Sequence, residues 1–210
     1  MTKRLPTLIA RPVDSIGSMA PHVHITGDSE ADELLSNNPL ALLLGMLLDQ
    51  QVAMETAFAG PAKIKARLGA LDAATIAEYD ADAFVELCRT PPAVHRYPGN
   101  MAARIQTLCR TVVDEWGGDA SAIWTRGEPD GAEVLKRLKG LPGFGVQKAQ
   151  IFLALLGERY DFTGSGWREA AGHYGENGCF RSVANITDAE SLAKVRETKR
   201  AAKAAAKQKA

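Results

Sequence analysis

The sequence predicts an all-α protein. Three observations carry that class. Apolar residues recur at i, i+3, i+4, i+7 in segment after segment, as in Ala149, Phe152, Leu153 and Leu156. Helix starts and stops punctuate those segments, Asn38 before Pro39 being the clearest start and Gly117-Gly118 the clearest stop. Period-two alternation is confined to His22-Val23-His24-Ile25, which reads as one extended strand with nothing to pair with.

Taken in order, residues 1–28 read as an irregular segment broken by Pro6, Pro12, Gly17, Pro21 and Gly27. His22 and His24 have no third metal ligand nearby and read as surface histidines. Ser29 and Asp32 look like the cap of a short helix over Ala31 to Leu35. Asn38-Pro39 then starts a helix with Leu40, Leu43, Leu44, Leu47 and Leu48 all around it, and a helix apolar on every side is buried. Asp49, Gln50 and Gln51 end it, and a further helical run goes through Phe58 to Leu68. Asp72 and Asp80 cap short helices, the second over Ala81 to Cys88, ended by Thr90-Pro91-Pro92. A long amphipathic helix follows Pro98, with Met101, Ile105, Leu108 and Val112 on its stripe and Trp116 at its end. Residues 119–130 read as a loop with a single turn near Trp124. Two helices then flank Leu141-Pro142-Gly143-Phe144-Gly145. Trp167 to Ala171 starts another, residues 172–185 are glycine-rich and irregular, and Asp188 begins a last helix.

At 210 residues there is room for one large domain or two lobes sharing a core. We divide the chain into the irregular segment 1–28, an all-α domain 29–193 with its hairpin at 131–157, and a basic Ala/Lys-rich tail 194–210. Net charge is zero, but its distribution is uneven. The tail holds seven Lys or Arg against Glu197, while the body holds 18 basic against 24 acidic residues. Such a tail either adds salt-sensitive attraction to phosphates or ends the chain as a solubilising helix. No apolar run is long enough for a membrane span, and Met1 to Leu5 is not followed by a secretory core. Cys88, Cys109 and Cys179 have no metal or redox spacing, so a reducing cytoplasm is expected.

The stretch Leu141 to Ala149 organises the rest. Pro142 stops one helix, Gly143 and Gly145 permit unusual backbone angles and close approach, and the next helix opens with unpaired N–H groups. Bare amides at the positive end of a helix dipole suit a phosphate, whereas glycines kept for packing alone would bury the corner. This turn resembles the helix-hairpin-helix of the DNA glycosylase superfamily of endonuclease III, the adenine glycosylase, 8-oxoguanine glycosylase and 3-methyladenine glycosylase II. Met46-Leu47-Leu48-Asp49-Gln50-Gln51-Val52, about 90 residues upstream, resembles that superfamily's early motif, whose last Gln enters the gap left by an extruded base. Gln51 holds that position. Arg96 to Ile105 is similar to the turn before the family's long helix. The resemblance covers residues 37–170. It implies a two-lobed helix-hairpin-helix glycosylase-like fold with double-stranded DNA between the lobes.

The chain also departs from the family. Where lyase-type members carry the nucleophilic lysine, Gln147 stands here. Lys148 is turned about 100° from it on a helix, and reads as a phosphate contact or a solvated charge. The aspartate expected near Ser165 to Trp167 is absent. Glu169 is the nearest carboxylate downstream, read either as the catalytic group or as a helix-start carboxylate, with Arg168 as a neighbouring ion-pair partner. Asp161 is the nearest upstream. With Cys179 the only cysteine after the hairpin, no iron–sulfur cluster is expected.

What the resemblance implies is a monomeric, cytoplasmic, nucleoid-associated base-excision glycosylase acting by monofunctional hydrolysis, with no lyase step. Its DNA contacts are Gln51, Gly143, Phe144, Gly145, Val146 and Lys148, and its catalytic carboxylate is Glu169. The carbonyls of Lys139, Leu141 and Phe144 would hold a monovalent cation. A DNA-binding protein without catalysis on the same scaffold is the alternative, and an interaction module docking through its basic tail is a third.

Overall fold

Every residue from Leu40 to Leu48 is buried, so this helix is core on all sides. The computed structural model describes residues 23–208, with side chains to 205. The fold is all-α, with no strand among the described residues. The buried helix, α2 (Pro39–Leu48), follows α1 (Ser29–Asn37) directly. Asn38 caps α2 as expected, its side chain accepting from Ala41 N at 2.9 Å, with Pro39 in the first turn where a missing N–H is harmless.

The start of the described chain differs from the sequence reading. The cap of α1 is Asp28, whose side chain accepts from Glu30 N and Ala31 N. Asp32 is free for another task. Its Oδ1 accepts from Ile25 N, Thr26 N and Thr26 Oγ1, and Ser36 Oγ accepts from Val23 N. Val23 and Ile25 alternate inward as a strand would, but side chains of α1 take their donors, so no partner strand is needed. His22 lies outside the described residues.

The helical run expected through Leu68 is two helices, α3 (Met54–Phe58) and α4 (Gly60–Leu68). Pro61 at the start of α4 explains the break, because its ring excludes the carbonyl four residues back and it has no N–H to donate. α5 (Ala73–Glu78) and α6 (Ala81–Arg89) carry the expected Asp72 and Asp80 caps. α7 (Pro98–Trp116) ends at Gly117, whose left-handed φ of +67° lets the chain reverse. The loop beyond it includes α8 (Ala122–Thr125).

Helices α9 (Gly131–Gly140) and α10 (Val146–Arg159) form the hairpin, followed by α11 (Trp167–Ala170), two 3-10 turns (Gly172–Tyr174 and Val183–Asn185) and α12 (Ala189–Gln208). Packing falls into two groups. Helices α1 to α7 gather on α2 and α7, while α9, α11 and the 3-10 turns gather on α10, with α8 on α9 and α12 on the second 3-10 turn. One apolar core runs through both, and α2 lies at the seam. The basic stretch from Lys194 continues α12 without a break. Val195 is fully buried, and Arg196 is ion-paired with Glu55 of α3, so this helix is docked on the body. No helix among the described residues is long and apolar enough to cross a membrane.

Leu44 has no exposed surface and belongs to the apolar core. Leu44→Ala is expected to lower unfolding free energy by about 2–5 kcal/mol, read by urea denaturation.

Candidate nucleic-acid interface

At the hairpin corner, Leu141 and Phe144 point inward while Gly143, Gly145 and Val146 are exposed. Phe144 meets Phe152 edge-on at 5.9 Å, which anchors the turn to α10. Phe144 N donates to Leu141 O at 3.1 Å and closes it. Gly143 sits at φ +83°, and a Cβ there would come within 2.5 Å of Leu47 Cδ1, so this position is closed to side chains on two counts. Gly145 precedes α10 with no side-chain cap, and a Cβ on it would meet nothing. The first helical hydrogen bond here is Ala149 N to Gly145 O. The amides of Val146, Gln147 and Lys148 therefore open α10 without intrahelical partners, at the positive end of the helix dipole. The corner faces solvent and keeps donors for an anion. Val146 is 55% exposed beside it.

The loop between α2 and α3 carries Gln51, exposed and at φ +57°, a backbone region that non-glycine residues seldom occupy. Its neighbour Gln50 holds the loop in place. Gln50 Nε2 donates to Leu47 O at 2.6 Å, and Gln50 Oε1 accepts from Arg104 Nη1 at 2.7 Å. His95, only 2% exposed, completes the clamp. Tyr97 N donates to His95 Nδ1 at 3.1 Å, so the ring's proton is on Nε2, which donates to Gln50 O at 2.9 Å. The turn at Arg96–Tyr97 is thereby tied to the loop that presents Gln51.

The end of α2 and the first turn of α10 line a cleft of about 600 Å3. Met46 and Asp49 come from the end of α2, Gln147 and Lys148 from the first turn of α10, Tyr174 from a 3-10 turn and Lys199 from α12. Gln147 and Lys148 thus both line the cleft, by different contacts. Gln147 Nε2 donates to the Tyr174 hydroxyl at 2.7 Å, and Lys148 Nζ donates to Leu47 O at 3.0 Å. That carbonyl belongs to the last turn of α2, where helix carbonyls lack partners and a cation is favoured.

Asp49 is the one carboxylate in the cleft lining among the described residues. Burial pushes its pKa above the usual carboxylate value, against the opposing pull of Lys199 and Lys148. Lys148 is lowered to about 8, first by burial and then by Arg104, with Asp49 acting the other way.

Glu169 is not brought to this place. It stands exposed on α11 and lines a separate shallow depression with Gly172 and Gly175. Arg168 pairs with Glu158 at 2.6 Å rather than with Glu169. Asp161 is exposed at φ +50° beside Phe162 and Thr163, on another face cavity. Asp49 and Tyr174 were missed as candidates in the sequence. Asp49 had a readable signal, a carboxylate directly before Gln50-Gln51 at the end of an otherwise apolar helix, whereas Tyr174 had none. Lys139 is exposed and Leu141 buried at the end of α9. Leu141 O takes one donor, Phe144 N, and keeps a second lone pair. Cys88 and Cys109 are buried in the α1–α7 group, pushed by burial to about 11 and about 12, and Cys179 lies 3.6 Å from Asn185 Oδ1.

Comparison with known proteins agrees with this geometry. Residues 44–205 match the family model described as HhH-GPD superfamily base excision DNA repair protein. That span starts within α2, takes in the Gln50–Gln51 loop, the hairpin and the cleft, and ends in α12. A search of curated proteins finds no match. Members of the matched family bind DNA. The buried helix, the clamped Gln51 loop, the open hairpin corner and the matched span lead to one assignment: the chain belongs to the HhH-GPD superfamily of base-excision DNA repair proteins.

Proposed function

We propose that this protein is a monofunctional DNA glycosylase that hydrolyses the N-glycosidic bond of a base flipped out of duplex DNA, with Asp49 as its catalytic carboxylate. The observation that carries the reading is the position of Asp49, in a cleft lined by the end of α2, which leads into the Gln51 loop, and by the first turn of α10, which follows the hairpin corner. The amides after Gly145 hold the phosphate backbone, and Lys148, in the cleft with Asp49, contacts the flipped nucleotide. Gly143 and Phe144 shape that corner, and Gln51 enters the space the base has left. In the reaction the C1′–N bond breaks and its electrons leave with the base. The Asp49 carboxylate stabilises the positive charge that develops on the sugar, and takes a proton from the water whose oxygen bonds to C1′.

Gln147 stands where lyase-type members carry their lysine and has no amine to offer the sugar, which supports hydrolysis without a lyase step. The carbonyls of Lys139, Leu141 and Phe144 are our assigned ligands for a monovalent cation, since a set of neutral oxygens suits a hard ion of low charge. The protein acts as a monomer on duplex DNA, and its place in the cell is with the chromosome in the cytoplasm.

Asp49→Asn is expected to lower base release by about 10²–10⁴-fold while duplex binding persists, with Glu169→Gln close to wild type. Borohydride should trap no protein–DNA adduct. If Glu169→Gln takes the loss and Asp49→Asn does not, the carboxylate is misassigned. If the wild type releases no base from any lesion duplex yet binds duplexes, the non-catalytic reading replaces this one.

The pH profile of release should be bell-shaped. Asp49 must be ionised, so its raised pKa places the acid limb above the ordinary carboxylate range. Lys148 must be charged to hold the flipped nucleotide, so activity falls as pH rises through about 8. Lys148→Arg, which stays charged, should move the alkaline limb upward. An alkaline limb unmoved in that variant would remove Lys148 from the binding role.

A further inference from the structure

The cleft's own hydrogen-bonding groups narrow what can enter it, provided the cleft is the pocket for a flipped base as read above. The Tyr174 hydroxyl accepts from Gln147 Nε2 at 2.7 Å, so its own hydrogen is left to point elsewhere. Tyr174 is only 7% exposed, and its side chain lines the cleft. Lys148 gives one of its three hydrogens to Leu47 O. Lys199 Nζ lies 3.7 Å from Met54 Sδ, a weak acceptor that leaves the ammonium's capacity largely open. Arg181 also lines the cleft, held through Nη2 to Glu176 at 3.2 Å. The acceptors in the lining are Asp49, the side-chain oxygen of Gln147, the Thr198 hydroxyl, whose own hydrogen goes to Lys194 O, and a ring nitrogen of His173, and of these Asp49 alone carries a charge. The charge balance leans the same way. Lys148 and Lys199 line the space and Arg104 is near enough to act on Lys148, whereas Asp49 is the one carboxylate in the lining among the described residues; Arg181 is set against Glu176. Glu176 and Glu55 are engaged by Arg181 and Arg196. Beside Tyr174 the exposed ring of His173 lies 4.0 Å away, tilted by 39°, and presents a flat surface on which a planar ring can stack.

We infer that the flipped base accepted here is rich in carbonyl acceptors and neutral or anionic, as deamination and oxidation produce, and that cationic N-alkylated purines are rejected. A carbonyl oxygen entering this space meets the Tyr174 hydroxyl and the ammonium groups, and satisfies donors that would otherwise stay unpaired. A base carrying a positive charge meets those same ammonium groups at short range in a partly dehydrated space, where like charges repel more strongly than in water.

The test uses the full-length wild-type protein and four duplexes identical except at one position, which holds uracil, 5-hydroxyuracil, 8-oxoguanine or 7-methylguanine. Released base is measured by mass spectrometry. Binding is measured separately with 2′-fluoroarabino versions, whose glycosidic bond resists cleavage. At least one carbonyl-rich lesion is expected to exceed 7-methylguanine by about tenfold or more in both assays, a difference of about 1.4 kcal/mol. Tyr174→Phe and Lys199→Gln, the second on an exposed helix face where folding is not at risk, should each shrink that preference about threefold. Equal or better handling of 7-methylguanine overturns the inference and leaves base excision standing. A preference unchanged in both variants also overturns it. Inorganic phosphate that displaces damaged and undamaged duplexes alike at fixed ionic strength, with no lesion preference, marks the cleft as a phosphate site and overturns it too. Neither release nor lesion-selective binding with any duplex removes the excision reading together with the inference.

Discussion

The carbonyl of Leu47 is the point on which the two halves of the interface depend. It accepts from Gln50 Nε2 at 2.6 Å and from Lys148 Nζ at 3.0 Å. The first contact fixes the loop that presents Gln51, and the second fixes the first turn of α10. The side chain of the same residue lies against the bare Cα of Gly143. One residue near the end of a buried helix thus sets the spacing between the Gln51 loop and the hairpin corner. This works because α2 cannot move. Its apolar surface is buried on every side, and its last carbonyls, which no residue further along the helix can satisfy, are available to donors from both directions.

The same constraint explains the charge state of the cleft. A lysine brought under the end of α2 is drawn there by the helix dipole and by Leu47 O, yet it loses water on the way. Asp49 experiences the complementary tension, since burial favours its neutral form while Lys148 and Lys199 favour the anion. The residues balance one another across the cleft. α12 is part of that balance, because Lys199 reaches the cleft only if the helix is docked, and Val195 in the core and Arg196 on Glu55 dock it. The basic end of the chain is in this sense a wall of the site as well as a source of positive charge.

Much of the fold was legible because its determinants are local. Asn38 with Pro39, Asp72, Asp80 and Gly117 each act within a turn of their own position, so residue type alone places the helix end. The hairpin corner was legible for the same reason. Two features at the start were not. Asp28, rather than Ser29, caps α1, and Asp32 turns back to hold Ile25 and Thr26, a choice that depends on how the incoming segment packs. The run to Leu68 was read as one helix because its apolar spacing continues across the break that Pro61 imposes.

The cleft was the least legible part, and the reason is physical. Asp49, Lys148, Tyr174 and Lys199 are far apart in the chain and meet only because the hairpin and α12 fold back on α2. A search for a carboxylate soon after the hairpin finds Glu169, which is near in sequence and exposed in space, lining its own shallow depression. Asp49 directly follows the helix that the core is built on, and its backbone N–H is bonded to Gly45 O of that helix. A charge that must meet a developing cation at one place is best carried by such a rigid element, because reorganisation is then avoided when the bond breaks. In the function proposed above, the carboxylate at the end of α2 takes that part without an aspartate after the hairpin.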